Sequence, residues 1–318
     1  MPSIIQTRIL IQKFDKKLDK IIHEDIKLLK DIKKYVVSSG GKRIRPITHY
    51  YFTRLLGYEG EEWLDVGAIA ELIHSASLLH DDVVDKSDTR RGKPTVGKLY
   101  GNKVAILSGD YLLASGIEHL NSLQKPALMD SFTRVIRYLA VGELIQMQWE
   151  RNPKITPAIY EQIIYGKTAS LFGAVCETAG ILANSSQKTI EDLRKFGDSM
   201  GRLFQVRDDY IDYFTDEKSS GKTFMKDFYN GLYTYPVIVL KEKAKSADKK
   251  EIDLLFKKDE RDRIDAKRIQ ELFQVYEIKE ILVSEIQSCI EELINYVKEF
   301  GDSKLTETII EKISELKV

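Results

Sequence analysis

The stretch HSASLLHDDVVD, from His74 to Asp85, is apolar and helical in pattern and ends in three aspartates, Asp81, Asp82 and Asp85. Positions i and i+4 share a helix face, so Asp81 and Asp85 point the same way about one turn apart. Like charges at that spacing destabilise an isolated helix, and Asp is itself a poor helix former, so a cation must compensate. Oxygen ligands a turn apart suit a hard divalent ion such as Mg²⁺, which takes one or two carboxylates and completes its shell with water and substrate phosphate. Alone, the same pattern also describes an acidic face turned to solvent.

The pattern recurs. FQVRDDYID, from Phe204 to Asp212, places Asp208, Asp209 and Asp212 on a second apolar helix, 127 residues after the first cluster. Two such helices facing each other would frame one acidic cleft. With no EF-hand glycine and no histidines at zinc spacing, the pair of motifs points to magnesium-dependent diphosphate chemistry. Cations stand beside both motifs. GGKRIRP, residues 40–46, is a glycine-rich turn leading into a helix, where free N–H groups favour anions. Arg90 and Arg91 follow the first cluster and Gly221-Lys222 follows the second, so their side chains are candidate phosphate clamps.

Around these motifs, apolar residues keep helical spacing in nearly every segment, as in Ile21, Ile22, Ile26, Leu29 and Ile32, or Ile281, Leu282, Ile286, Ile290 and Leu293. Proline is absent from Ala158 to Tyr235, where long helices can run. The chain therefore reads as all-α, an antiparallel bundle of about a dozen helices, with breaks near Ser38–Gly41, Gly57–Gly60, Ser87–Pro94, Asn152–Pro157, Asn184–Gln187 and Glu217–Gly221. The charged stretch Lys241–Arg268 reads as a solvated helical pair. Residues 1–318 are expected to form one domain with a charged C-terminal third.

Composition narrows the function. Lys plus Arg and Asp plus Glu both number 49, so no general attraction to nucleic acid or anionic membrane is expected, and anion binding must come from local clusters. Two cysteines, Cys176 and Cys289, exclude a disulfide scaffold and fit a reducing cytoplasm. The charged N-terminus does not read as a signal peptide, and no apolar run approaches the ~18 residues of a membrane span. A charged fraction of 31%, against a typical ~25%, leans toward a thermophilic source.

The set GGKRIRP, HSASLLHDDVVD, RRGKPT, YGKTASLFGA, FQVRDDYID and GKTFMKDF resembles the trans-isoprenyl diphosphate synthase family, in the family's order over about residues 40–236. Within it, the chain is most similar to bacterial medium- and long-chain enzymes of the octaprenyl diphosphate synthase kind. The resemblance implies an all-α bundle around a deep central cavity, a homodimer, and Mg²⁺, three ions in all, between the two aspartate motifs. It implies that Asp81, Asp85 and Asp208 ligate the metal directly, with Asp82, Asp209 and Asp212 in support. Arg90, Lys167 and Lys222 match positions that hold the allylic diphosphate, with Thr168 beside Lys167. Lys42, Arg45, His74 and Arg91 match those that hold isopentenyl diphosphate, and Phe204 with Gln205 matches a pair packed around the substrates. His74 lies seven residues before Asp81, two turns along the same face. One departure stands out: where the family carries a further lysine, this chain has Leu232, and either the site works with one cation fewer or Lys226 supplies it.

The implied reaction ionises an allylic diphosphate, farnesyl diphosphate being the expected primer; the isopentenyl double bond attacks the cation head to tail, and the released pyrophosphate takes the proton. Cavity depth ends the cycle. Ala76 and Ser77, ~7 Å below Asp81 along the helix, are small where short-chain relatives carry a bulky aromatic, so a medium or long all-trans product, octaprenyl diphosphate, is expected. Phe132 and Phe52 are candidates for the tunnel floor or ordinary core aromatics. Competing readings are a shorter-chain synthase, a metal phosphohydrolase built on His80-Asp81 with His49 upstream, a terpene cyclase, and an inactive subunit of a heteromeric synthase. The phosphohydrolase leaves the second motif unexplained. A cyclase lacks the GGKRIRP loop, and inactive subunits characteristically lose carboxylates that are intact here.

Overall fold

Helical spacing becomes helix almost throughout. The computed structural model describes residues 4–23, 25–38, 43–215 and 224–318. In chain order its elements are α1 (Ile4–Ile21), α2 (Lys27–Ser38), α3 (Ile44–Leu55), α4 (Trp63–Val84), β1 (Thr89–Arg90), β2 (Lys93–Pro94), α5 (Val96–Tyr100), α6 (Asn102–Ser122) and α7 (Pro126–Trp149). There follow α8 (Pro157–Ile164), a π-helical turn (Tyr165–Ala169), α9 (Ser170–Leu182), α10 (Gln187–Phe214), α11 (Lys226–Asn230) and α12 (Tyr235–Lys243). The chain ends in α13 (Ser246–Lys257), α14 (Arg263–Val275), α15 (Ile278–Lys298) and α16 (Lys304–Ser314). The architecture is all-α. The helices among the described residues exceed the expected dozen, because the turns at 258–262 and 276–277 carry neither Gly nor Pro to announce them. The expected break at Ser38–Gly41 begins where α2 ends and its residues 39–41 lie outside the described residues, as does all of the break at Glu217–Gly221.

The chain divides into two compact units, each assembled from separate stretches. The first comprises Met1–Arg137, Leu171–Gly197 and Val297–Glu311. Its centre is α4, whose Val66, Ala68, Ile69, Ala70, Leu72 and Ile73 are at most 1% exposed, since a helix apolar on all sides must be buried on all sides. Phe14 and Leu18 of α1, Trp63, Leu72, Ala76 and Leu79 of α4, and Ala105 and Leu112 of α6 form one core. Close helix approach depends on small residues. A Cβ on Gly109 of α6 would lie 2.4 Å from Nε2 of His80, and one on Gly67 would lie 2.9 Å from the Pro46 ring.

Polar ties pin these helices. The buried Arg43 guanidinium, just before α3, pairs with Glu71 of α4 at 2.8 Å and with Asp15 of α1 at 3.2 Å. Arg134 of α7 holds both oxygens of Glu177 on α9. His49 is fully buried, and its Nδ1 donates to the Val175 carbonyl at 2.8 Å. Burial lowers the His49 imidazole to about 4, so it is a neutral core histidine. This removes the upstream histidine from the phosphohydrolase reading.

The second unit comprises Tyr138–Ser170, Asp198–Tyr296 and Lys312–Val318. Aromatics dominate its core: Tyr213 meets Phe273 edge-on at 5.3 Å, and Phe256 contacts Phe228 and Tyr233 at 5.2 and 4.2 Å. The expected solvated pair is α13 and α14. Ile252, Leu255 and Phe256 face inward while Leu254 is exposed, and Arg268 bridges to Glu251 by two hydrogen bonds. A capping box of Asp262 and Asp265 starts α14. No helix among the described residues is long and apolar enough to cross a membrane.

Asp65 gives the first unit a pH dependence. It accepts Lys17 Nζ at 2.7 Å and His119 Nε2 at 2.6 Å, which ties α1 and α6 to α4. Burial pushes this carboxyl up, but the hydrogen bonds and charges of His119 and Lys17 outweigh burial and hold it below the ordinary 3.8. A depressed carboxyl stabilises the fold above its ordinary value, and that contribution is lost as pH falls through the lower folded value. Asp65→Asn is expected to lower stability at neutral pH by about 1–3 kcal/mol. It should also flatten the fall in stability on acidification below pH ~4, as followed by urea unfolding at stepped pH.

Candidate active site

In the first unit, α4 delivers its aspartates at its C-terminal end. Val84 is its last residue; Lys86 enters the left-handed region at φ 51°, its amide bonding to the Val83 carbonyl and that of Ser87 to Asp82. This Schellman closure ends the helix one residue before its C-cap is passed, leaving Asp81 half-buried, Asp82 buried and Asp85 exposed at the cap. A helix C-terminus carries partial negative charge, so three carboxylates there require cations. One arrives from a feature absent from the sequence reading, the hairpin β1–β2. Arg91 and Gly92 both take positive φ, 52° and 74°, the requirement of a two-residue type I′ turn. The hairpin turns Arg90 back so that its Nε donates to Asp82 Oδ1 at 2.7 Å.

Two other expected cations of this unit, Arg45 and Arg91, act electrostatically on His74. That imidazole is half-buried on α4 and is held neutral, first by burial, then by the charges of Arg45, Arg91, Arg90 and Arg43. Arg45 lies over the Phe172 ring at 4.6 Å with its Nε buried and unbonded among the described residues. Burial lowers its guanidinium to about 10, with Glu71 opposing and Arg91 adding to the shift. A crowd of arginines around a neutral imidazole is the electrostatics of an anion site. Ala76 is buried in the core and Ser77 returns its hydroxyl to the His74 carbonyl at 2.9 Å. Phe132 and Phe52 are fully buried, Phe52 against Phe196 at 5.0 Å.

In the second unit, the π-helical turn carries Lys167 and Thr168. Glycines allow it: a Cβ on Gly166 would lie 2.6 Å from the Tyr138 carbonyl oxygen and 2.7 Å from Gly142 Cα. Lys167 pairs with Glu143 of α7, and Thr168 donates to Gln205 Oε1 at 2.8 Å. Asp209 is buried and accepts three hydrogen bonds, from Gln205 Nε2 at 2.9 Å, the Tyr160 hydroxyl at 2.7 Å and the Tyr235 amide at 3.1 Å. Burial and the neighbouring Asp227 push it up to about 7, while the donors pull it down. Asp212 caps α11, its two oxygens taking the amides of Lys226 and Asp227 at 3.1 Å each. Asp208 and Phe204 are half-buried on α10.

Leu232 lines a cavity with Gln146, Trp149, Lys167, Gln205 and Asp209, so no ammonium enters from that position. Lys226 contributes its amide to Asp212 and leaves its side chain exposed. Lys42 and Lys222 lie outside the described residues. Glu143, Tyr160 and Tyr235 had no signal in the sequence, each being far along the chain from the motif it serves.

A model of the polyprenyl synthetase family matches residues 26–273. The chain belongs to the polyprenyl synthetase family. The octaprenyl diphosphate synthase of Escherichia coli (strain K12) is 37% identical over 217 residues, 68% of this chain and 67% of that one. An all-trans-nonaprenyl-diphosphate synthase (geranyl-diphosphate specific) of Rhodobacter capsulatus is 38% identical over 226 residues, 70% of this chain and 69% of that one. The crystal structure of heptaprenyl diphosphate synthase from Staphylococcus aureus superposes with a TM-score of 0.90 at 29% identity, covering 98% of this chain and 97% of that one. This polyprenyl synthetase is thus a trans-prenyltransferase enzyme.

Hard oxygen donors without thiolate or imidazole partners fit Mg²⁺. Within each unit no three His, Cys, Asp or Glu side chains among the described residues gather closely enough to hold an ion themselves. Water and substrate phosphate would therefore complete the shell, as magnesium prefers. Because the π-helical turn meets backbone atoms at Gly166, Gly166→Ala must shift it. The substitution is expected to cost about 1–3 kcal/mol in urea unfolding and to lower activity by displacing Lys167.

Proposed function

We propose that this polyprenyl synthetase condenses isopentenyl diphosphate head to tail with farnesyl diphosphate in repeated cycles, giving all-trans octaprenyl diphosphate in a magnesium-dependent reaction. The observation that carries this reading is the completeness of both aspartate motifs, each carboxylate pattern intact and set beside cations or donors of its own unit. Asp81, Asp85 and Asp208 would hold Mg²⁺, three ions in all, with Asp82, Asp209 and Asp212 supporting them directly or through water. Bound magnesium supplies Lewis-acid stabilisation of the departing pyrophosphate. Arg90, Lys167, Thr168 and Lys222 orient the allylic diphosphate. Lys42, Arg45, His74 and Arg91 hold isopentenyl diphosphate, for which a neutral His74 is a hydrogen-bonding partner and the arginines are the counter-charge. Phe204 and Gln205 pack around the substrates. The C–O bond of the primer breaks, the isopentenyl double bond forms the new C–C bond, and the released pyrophosphate takes the proton. The diphosphate site works with Leu232 in place of a cation.

Product length follows from α4. Ala76 leaves room below Asp81, which supports chain growth past the short products, and Phe132 and Phe52 would bound it. We read residues 1–318 as one synthetase domain, since α7 and α10 each contribute residues to both units. Leu107 of α6 and Leu144 of α7, 67% and 64% exposed, support a homodimer. Two cysteines and no disulfide scaffold support a cytoplasmic enzyme, and balanced charge supports one without nucleic-acid partners.

Purified protein with Mg²⁺, farnesyl diphosphate and labelled isopentenyl diphosphate is expected to give a forty-carbon alcohol after dephosphorylation and reversed-phase chromatography. EDTA should abolish it, and Asp81→Ala or Asp208→Ala should lower kcat on the order of 10²-fold or more. No condensation would return the chain to the inactive-subunit reading. In the same assay Ala76→Tyr should shorten the product and Phe132→Ala lengthen it; unchanged lengths would remove both residues from the tunnel.

A further inference from the structure

Asp209 stands at the end of a continuous line of hydrogen bonds within the second unit. Thr168 donates to Gln205 Oε1 at 2.8 Å, which forces the amide nitrogen of Gln205 toward Asp209 Oδ1, 2.9 Å away. On the far side, the Tyr160 hydroxyl reaches Asp209 Oδ2 at 2.7 Å, and the Tyr235 amide shares that oxygen at 3.1 Å. Tyr160 has little freedom to leave. It is 3% exposed, and its ring stacks on Tyr235 with centroids 5.5 Å apart. Tyr235 is itself held, its hydroxyl on Glu285 at 2.8 Å and its ring under Arg202 at 5.7 Å. The phenol is the donor of this pair, its O–H directed at the carboxyl oxygen.

We infer that Tyr160 is a positioning residue for the second aspartate motif: its hydroxyl fixes the Asp209 carboxylate and, through Gln205, the Thr168 side chain. The turn of α10 that carries Asp208 and the π-helical turn that carries Lys167 are thereby kept in one arrangement. The inference rests on the proposed roles of Asp208 and Lys167 in magnesium diphosphate binding. A purely packing role for Tyr160 would be met by phenylalanine, which keeps the ring and its stack on Tyr235.

The test is calorimetric titration of inorganic pyrophosphate in the presence of Mg²⁺, alongside steady-state kinetics and thermal melting. Tyr160→Phe is expected to melt near wild type, to weaken magnesium-dependent pyrophosphate binding about tenfold, and to lower kcat by a similar factor, with KM for isopentenyl diphosphate unchanged. Thr168→Val should do the same, Thr168→Ser should restore wild-type values, and the Tyr160→Phe/Thr168→Val double variant should fall no further than the worse single one. Tyr276→Phe, which removes a hydroxyl bonded to Asp248, controls for hydroxyl loss as such. Wild-type binding and turnover in Tyr160→Phe overturn the inference. If that variant does not fold, the Thr168 pair decides, and equal behaviour of Val and Ser overturns it. A wild-type enzyme that neither condenses nor binds magnesium pyrophosphate refutes the proposed function itself, and the inference with it.

Discussion

Six aspartates on two helices must be accommodated where neither burial nor the helix dipole favours their charge, and the polar organisation of each unit follows from how this is done. The two motifs have the same spacing but opposite solutions. At the end of α4 the carboxylates sit against the negative end of a helix, and a cation answers them, Arg90 bonded to Asp82. On α10, Asp209 and Asp212 are answered by neutral donors: a phenol, an amide side chain and three backbone N–H groups. The first solution ties a cation to the carboxylate it answers; the second leaves two carboxylates occupied as internal fasteners.

Helix α4 joins core and chemistry in one element. Its first half is buried on every side, which fixes its path, and small residues such as Gly67 and the facing Gly109 let its neighbours approach closely. Gly109 illustrates the coupling, because the His80 ring fills the place a side chain would take. The residue next to Asp81 is thus packed into α6, so the aspartate-bearing end of the helix inherits the rigidity of the core.

Some of this was legible in the residues and some was not. The helical period, the two aspartate motifs and the charged α13–α14 pair could be read directly, since each rests on local spacing. TRRGKPT was legible as a basic loop but not as a hairpin, because Arg91 adopts a left-handed conformation that glycine more often signals. The π-helical turn at Tyr165–Ala169 was hidden as well. It lies where the backbone of Gly142 comes close against Gly166, an approach across 24 residues of chain.

The sequence by itself determined the fold class, the family and the identity of the carboxylates and cations, because periodicity and motif spacing are properties of neighbouring residues. Tertiary structure alone decided what each of those side chains does. Asp82 and Asp209 hold the same place in their two motifs, yet one is paired with an arginine and the other accepts from a phenol, an amide side chain and a backbone N–H. His49 and His74 are both histidines on apolar helices, yet one bonds a core carbonyl and the other is kept neutral by burial and by the charge of nearby arginines. A carboxylate or imidazole takes its role from the donors and charges within a few ångströms, and in this chain some of those are near in sequence, as Gln205 is to Asp209, while others, such as Tyr160 for Asp209 and Val175 for His49, are brought in from far along the chain.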